Sequence, residues 1–152
     1  MKIPYYEPAL LKISIPNSNI DNIMMAAEEG IIQLDIEGVK TQFKGTPINE
    51  RLQAFIQGAD SVSILFDELN KEIDLKIKEG QSIASLREES RQKRTQLIIE
   101  NTDRIVAFIK ENIDNPVGEY YFRKHYITFI LERKLELNSF ASEKLKKEFG
   151  IQ

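Results

Sequence analysis

The chain has 152 residues, 41% of them hydrophobic, with 21 basic against 24 acidic side chains and a net charge of −3. That length and apolar content suit one domain with one core, and the even charge balance supplies no general pull toward nucleic acid or anionic lipid. Cysteine is absent, which excludes disulfides, thiolate nucleophiles, thiolate metal sites and CxxC redox chemistry by this chain alone, while saying nothing of compartment, because a domain of this size needs no disulfide.

No window approaches the roughly 20 apolar residues of a membrane helix. Pro4, Pro8 and Pro16 bracket the apolar stretch Leu10-Leu11-Lys12-Ile13, so neither membrane insertion nor a signal peptide is expected in the chain as given. A cytoplasmic protein and an exported one without its leader both fit this reading.

From Leu10 to Lys44 apolar residues alternate, predicting four strands: Leu11, Ile13 and Ile15; Ile23, Met25 and Ala27; Ile32, Leu34 and Ile36; Val39, Thr41 and Phe43. The links Pro16-Asn17-Ser18-Asn19, Glu28-Glu29-Gly30 and Glu37-Gly38 are short and polar, which predicts consecutive antiparallel hairpins in a meander. At Thr46-Pro47 the grammar changes, with Thr46 placed to cap a helix and Pro47 at its first position, where a missing N–H costs nothing. Leu52, Phe55, Ile56, Val62, Leu65, Phe66, Leu69 and Ile73 then recur at helical spacing, predicting a helix to about Ile77 that Gly80 ends, with Gly58 as a weak point or kink. Ser82 opens a second helix to about Asn112, whose stretch from Arg87 to Gln96 lacks any large hydrophobe and is expected to be wet. Asp114-Asn115-Pro116 opens a third, aromatic helix through Ile130, and Asn138 or Ser139 begins a last one, with Phe140, Leu145 and Phe149 in register and Gly150 at its end. The fold class is therefore α+β: an antiparallel β meander of about four strands over residues 10–44, a long helical hairpin, and two further C-terminal helices. One domain, 1–152, is expected, with a sheet part to residue 45 and a helical part from 46.

Chemistry-bearing residues are sparse. His125 is the sole histidine, so a histidine cluster or relay has no second member, and a structural role is expected. Glu28 and Glu29, which with Asp35 are the acids a small hydrolase would have to use, are neighbours on a strand and point to opposite faces, which makes them a hairpin corner. Arg87, Arg91, Lys93 and Arg94 are interleaved with Glu88 and Glu89, the pattern of a solvated helix face rather than a phosphate-binding one. Tyrosine joins an apolar ring to a hydroxyl and is enriched where surfaces meet partners; Tyr5, Tyr6, Tyr120 and Tyr121 are the partner-contact candidates, against a core-packing reading that also takes in Tyr126. Glycine-rich phosphate loops, HExxH, a serine elbow and an EF-hand loop are all absent. No catalytic residue, cofactor or metal site is expected, and the chain is not expected to be an enzyme.

Three segments stand out in order and spacing: Met24-Met25-Ala26-Ala27-Glu28-Glu29-Gly30, Phe43-Lys44-Gly45-Thr46-Pro47-Ile48-Asn49-Glu50-Arg51-Leu52, and Phe108-Ile109-Lys110-Glu111-Asn112-Ile113-Asp114-Asn115-Pro116-Val117-Gly118. Together they resemble the domain of unknown function found N-terminal to the thioredoxin-like (AhpC/TSA) domain in Bacteroidetes thiol-disulfide interchange proteins, over roughly Ile3 to Leu131. The resemblance implies a setting in the cell envelope or periplasm and a thioredoxin-like partner, but no catalytic residues, since that domain has none assigned. This chain departs from the pattern in lacking the thioredoxin-like part with its CxxC. It is also expected to begin inside the sheet, where the family opens with further strands, so that the sheet is incomplete and burial is poorest along its first strand. The expected function is a non-catalytic accessory or binding domain of the envelope. The alternative is a structural or oligomerisation module, a homodimer joined through the helical hairpin or an exposed strand edge.

Overall fold

The computed structural model describes residues 10–13, 23–37 and 40–152. It contains four strands, β1 (Leu10–Ile13), β2 (Ile23–Ala26), β3 (Gln33–Glu37) and β4 (Lys40–Lys44), followed by α1 (Pro47–Lys78), α2 (Ile83–Glu111), α3 (Pro116–His125), a 3-10 turn (Tyr126–Thr128), α4 (Leu131–Asn138) and α5 (Glu143–Phe149). The class is α+β, with four antiparallel strands ahead of long helices and further C-terminal ones. The residues form two compact units, one comprising the described residues up to Ala54 together with Val106–Gln152, the other Phe55–Ile105.

In the first unit the strands pair as two separate hairpins, β1 with β2 (Leu10 opposite Ala26, Ile13 opposite Ile23) and β3 with β4 (Gln33 opposite Lys44, Glu37 opposite Lys40). No ladder joins β2 to β3 among the described residues, so the expected meander is divided. The reason lies at Ala26, whose N–H donates to Asn49 Oδ1 (2.8 Å) and whose carbonyl accepts from Asn49 Nδ2 (2.9 Å). A side chain thus takes the backbone bonds that a neighbouring strand would otherwise make. Burial follows the pairing unevenly: Ile23, Met25, Ala26 and Phe43 are buried, whereas Leu11 and Ile36 are both 45% exposed. Burial was expected to be poorest along β1, but β3 is the more open strand, with four of five residues exposed against two of four in β1, because β3 pairs with nothing but β4 among the described strands. Ile15 and Val39 lie outside the described residues.

The helical part of this unit buries Leu52, Ile109, Val117, Phe122, Leu137 and Leu145 completely. Asn115 caps α3 through its side-chain oxygen, which accepts from the N–H groups of Val117 and Gly118, and Pro116 takes the first turn as predicted. The expected continuation through Ile130 does not occur. Tyr126-Ile127-Thr128 tightens into a 3-10 turn, Thr128 Oγ1 donates to the His125 carbonyl at 2.8 Å, and Phe129 and Ile130 are extended. Aromatic and β-branched residues lose side-chain freedom in a helix, and a hydroxyl that bonds the backbone competes with it. Periodicity alone registers neither effect. The chain restarts as α4, an additional helix, and the last helix begins at the Ser142 cap rather than at Asn138 or Ser139. Gly150 ends it at φ 65°, in the left-handed region, as anticipated.

In the second unit α1 runs unbroken through Gly58. The glycine makes room rather than a kink: a Cβ there would lie 2.9 Å from Arg104 Nη1. Arg104 donates to the Phe55 carbonyl at 2.6 Å and lies 4.5 Å over the Phe55 ring. Gly80, at φ 84°, closes α1, and the turn's N–H groups of Gly80 and Gln81 return to the carbonyls of Ile77 and Lys76. Leu69 and Leu86 are buried, and Arg87–Gln96 is exposed apart from the half-buried Ser90 and Arg94, as its composition predicts.

Candidate functional site

The three segments that carry the resemblance meet in the first unit around two buried amides. Asn49 is fully buried in the first turn of α1. Besides its two bonds to Ala26, its Nδ2 donates to Thr46 Oγ1 (2.8 Å) and to Glu28 Oε2 (3.2 Å). Glu28 then accepts from the N–H groups of Ile48 and Asn49, both at 3.0 Å. A carboxylate from the strand corner therefore caps α1, where unpaired N–H groups and the positive end of the helix dipole favour it. Thr46 supplies the first helical carbonyl, to Glu50 N–H at 2.9 Å. Gln53 adds a bond from Phe43 N–H to its Oε1 at 3.0 Å.

Asn112, 1% exposed, is the second amide. Its Nδ2 donates to the Phe108 carbonyl (2.9 Å), and its Oδ1 accepts from Arg51 Nε (3.2 Å) and Asn115 Nδ2 (3.1 Å). Arg51 thereby ties the start of α1 to the α2–α3 joint. That joint is closed by Gly118, where a Cβ would stand 1.9 Å from the Asn112 carbonyl oxygen. Met24–Gly30, Phe43–Leu52 and Phe108–Gly118 are thus one connected framework, and its polar groups are committed to holding backbone and one another. Sequence reasoning missed Asn49 and Asn112 because a single asparagine on a helix reads as surface. The signal was the placement of Asn49 three residues before Leu52, on the apolar stripe.

Among the sequence candidates, Tyr5 and Tyr6 lie outside the described residues. Tyr120 and Tyr121 are half-buried on α3, where Tyr121 meets Phe108 edge-on (5.3 Å) and Tyr120 edge-on (5.2 Å). His125 is stacked between Tyr121 (5.9 Å) and Phe129 (6.0 Å). Burial, aided by the neighbouring Lys124 charge, pushes the imidazole below its ordinary value and so favours its neutral form. Lys124 Nζ sits 5.6 Å from the Tyr121 ring and 5.9 Å from the Tyr120 ring. Tyr126 is a packing residue, stacked on Phe122 at 4.8 Å with its hydroxyl donating to Asn138 Oδ1 at 2.7 Å. The acids are dispersed: Glu28 caps α1, Glu29 is exposed, and Asp35 pairs with Lys44 at 3.6 Å. Among the described residues no three His, Asp or Glu side chains gather to hold a metal ion, and no helix is long and apolar enough to cross a membrane.

Beyond the aromatic row the first unit leaves Ile127, Ile130, Leu131 and Leu135 exposed, at 73%, 66%, 71% and 60%. Leu131 and Leu135 share one face of α4, four residues apart. This set of open aliphatic side chains was also not anticipated, because the sequence reading placed Ile127 and Ile130 in a longer third helix.

In the second unit the basic residues of α2 are largely answered. Arg91 pairs with Glu88 at 2.9 Å, and Lys93 with Glu72 and Glu89, both at 2.9 Å. Lys76 completes a four-membered lattice, 2.8 Å from both Glu72 and Glu89. Hydrogen bonds from Lys76 and Lys93 hold the Glu72 carboxyl down at about 2, and the bond to Glu72 leads those that push Lys76 up to about 12. A depressed acid stabilises the fold above its ordinary value of 4.5, and that contribution is lost as pH falls toward 2. A raised lysine stabilises below 10.5 and loses its contribution as pH rises through 12. The lattice is exposed and hence salt-screened. Glu72→Gln is therefore expected to shrink, slightly, the drop in Tm on acidification from about pH 5 to about pH 2, and about 1 M salt should erase the difference from wild type. An equal drop in both proteins at low salt would remove the lattice as a source of pH dependence.

Comparisons with protein-family models, with curated proteins and with solved structures found no match.

Proposed function

We propose that this chain is a non-catalytic accessory domain of the bacterial cell envelope that binds a thioredoxin-like protein, standing to it as the resembling domains stand to their own thioredoxin-like part. One observation carries the reading: the first unit commits its distinctive polar residues to its own backbone and to one another, and leaves four large aliphatic side chains open between Ile127 and Leu135. Exposed apolar patches of this kind mark contact surfaces, and the half-buried Tyr120 and Tyr121 add aromatic area on α3. The setting in the envelope and the nature of the partner rest on the resemblance of the three segments.

The test is calorimetric titration of this chain with a thioredoxin-like domain taken from a Bacteroidetes thiol-disulfide interchange protein. Saturable binding is expected, weakened at least about tenfold, or 1.4 kcal/mol, by Leu131→Asp combined with Leu135→Asp. Both side chains are mostly exposed, so the melting temperature should be unchanged. No heat of binding at the highest soluble concentrations would overturn the proposal.

A further inference from the structure

The two flanks of the α1–α2 hairpin in the second unit are finished differently. One is bridged by the lattice of Glu72, Lys76, Glu89 and Lys93, beside a hollow of about 560 Å³ lined by Leu65, Leu69 and Leu97. The other is a groove of about 460 Å³ with Ile73 and Ile77 on one side and Ile83 and Leu86 on the other. Ile77 and Ile83 remain 42% and 54% exposed in it. Its α2 rim is a row of arginines, Arg87, Arg91 and Arg94. On α1, beside Ile73 and Ile77, Asp67, Asn70 and Asp74 fall in one row by spacings of three and four residues, and the bond from Arg94 to the Asn70 side chain places that row on the arginine side of the hairpin. Opposite charges thus stand on opposite helices without meeting: the side chains of Asp67, Asp74 and Arg87 have no hydrogen-bond or ion-pair partner among the described residues.

We propose that this flank is a self-association surface, on which two copies of the chain pack groove to groove as a four-helix bundle, α1 of each beside α2 of the other. The charges argue for a second copy in particular. A twofold axis running along the groove keeps residues at their own height while exchanging the helices. Within the chain, Asn70 stands opposite Arg94, Glu72 opposite Lys93 and Lys76 opposite Glu89. By that register Asp74 stands level with Arg91 of the second copy and one turn from its Arg87, and Asp67 stands one turn from its Arg94. Each acidic row therefore meets an arginine row, and symmetry makes the contact twice. The isoleucines exposed in the groove are covered in the same step, as core positions of a bundle.

The experiment uses the full chain in sedimentation equilibrium over a wide concentration range. A reversible dimer is expected. Asp74→Arg and Arg91→Asp should each weaken it at least about tenfold, because each sets like charges against each other in both symmetric contacts. An equimolar mixture of the two variant chains should regain dimer, since the reversed charge on one chain meets the reversed charge on the other and the remaining contact is native. Ile77→Asp should abolish association in every combination, and circular dichroism should show helical content unchanged in all variants. Such rescue in trans cannot come from an effect within one chain. A strictly monomeric wild type, a dimer indifferent to both charge reversals, or a mixture no tighter than its separate components would each overturn the proposal. This outcome is independent of the binding test above, which reads a different unit of the chain.

Discussion

Asn49→Ala is expected to destabilise the protein by about 3 kcal/mol in urea-monitored unfolding, with two stranded backbone groups each costing about 1–3 kcal/mol. The alanine removes the partner of both the N–H and the carbonyl of Ala26, in a site from which water is excluded. It also removes the amide that links Thr46 to Glu28. Asn49→Asp separates the hydrogen-bond account from mere loss of volume. It keeps an acceptor for Ala26 N–H but loses the donor toward the Ala26 carbonyl, and it sets a second carboxyl beside Glu28. Burial and the neighbouring acid raise the pKa of the introduced group. The aspartate variant should therefore be less stable than the alanine variant at neutral pH and regain part of the deficit as pH falls through that raised pKa. An alanine variant of wild-type stability would show that the Asn49 bridge contributes nothing net.

Gly118→Ala should be severely damaging, with a loss above about 3 kcal/mol, beyond the usual overpacking range, because its added Cβ makes the shortest contact of any described glycine. The added Cβ would stand 1.9 Å from the Asn112 carbonyl oxygen, 2.2 Å from its carbon and 2.7 Å from Ile113 N. All three are backbone atoms, and their turn is pinned by the bonds from Asn112 N–H to the Ile109 carbonyl and from Asn115 N–H to the Asn112 carbonyl. Relief requires α3 to move away from the end of α2, which would break the Asn115 cap and uncover Val117 and Phe122. Gly80→Ala is the control: Gly80 also resists substitution, at φ 84°, but no atom lies within 4 Å of the added methyl. Its cost should stay near 1 kcal/mol, the strain of a left-handed backbone alone. Equal losses in the two variants would show that the α2–α3 joint opens freely.

The limits of the sequence reading follow the same physics. Helix starts were legible at Pro47 and Pro116 because a polar residue followed by proline is written within a few residues, although at Pro47 the Glu28 carboxylate caps the N–H groups in place of the Thr46 hydroxyl, which accepts from the Asn49 side chain. The end at Gly150 was legible for the same reason. The role of Glu28 was not, since a strand-corner carboxylate becomes the cap of α1 only when residues 20 and 21 positions downstream fold against it. Arg51 and Asn112 are 61 positions apart, beyond the range of any periodicity. The break after His125 was hidden because Tyr126 to Ile130 is as apolar as a helix requires. The aliphatic patch that the break exposes was hidden with it.

By itself, then, the sequence determined the inventory: alternating strands before long helices, where most helices start and stop, and a chain without thiols and with one imidazole. Those are local properties, set by the conformational preferences and chemistry of residues close together in the chain. Only the tertiary structure decided that β2 bonds to an asparagine instead of to β3, that three distant segments share one polar framework, and which apolar side chains stay in solvent. Each of these depends on which groups lose water together, and that is settled by contacts between residues far apart in the sequence.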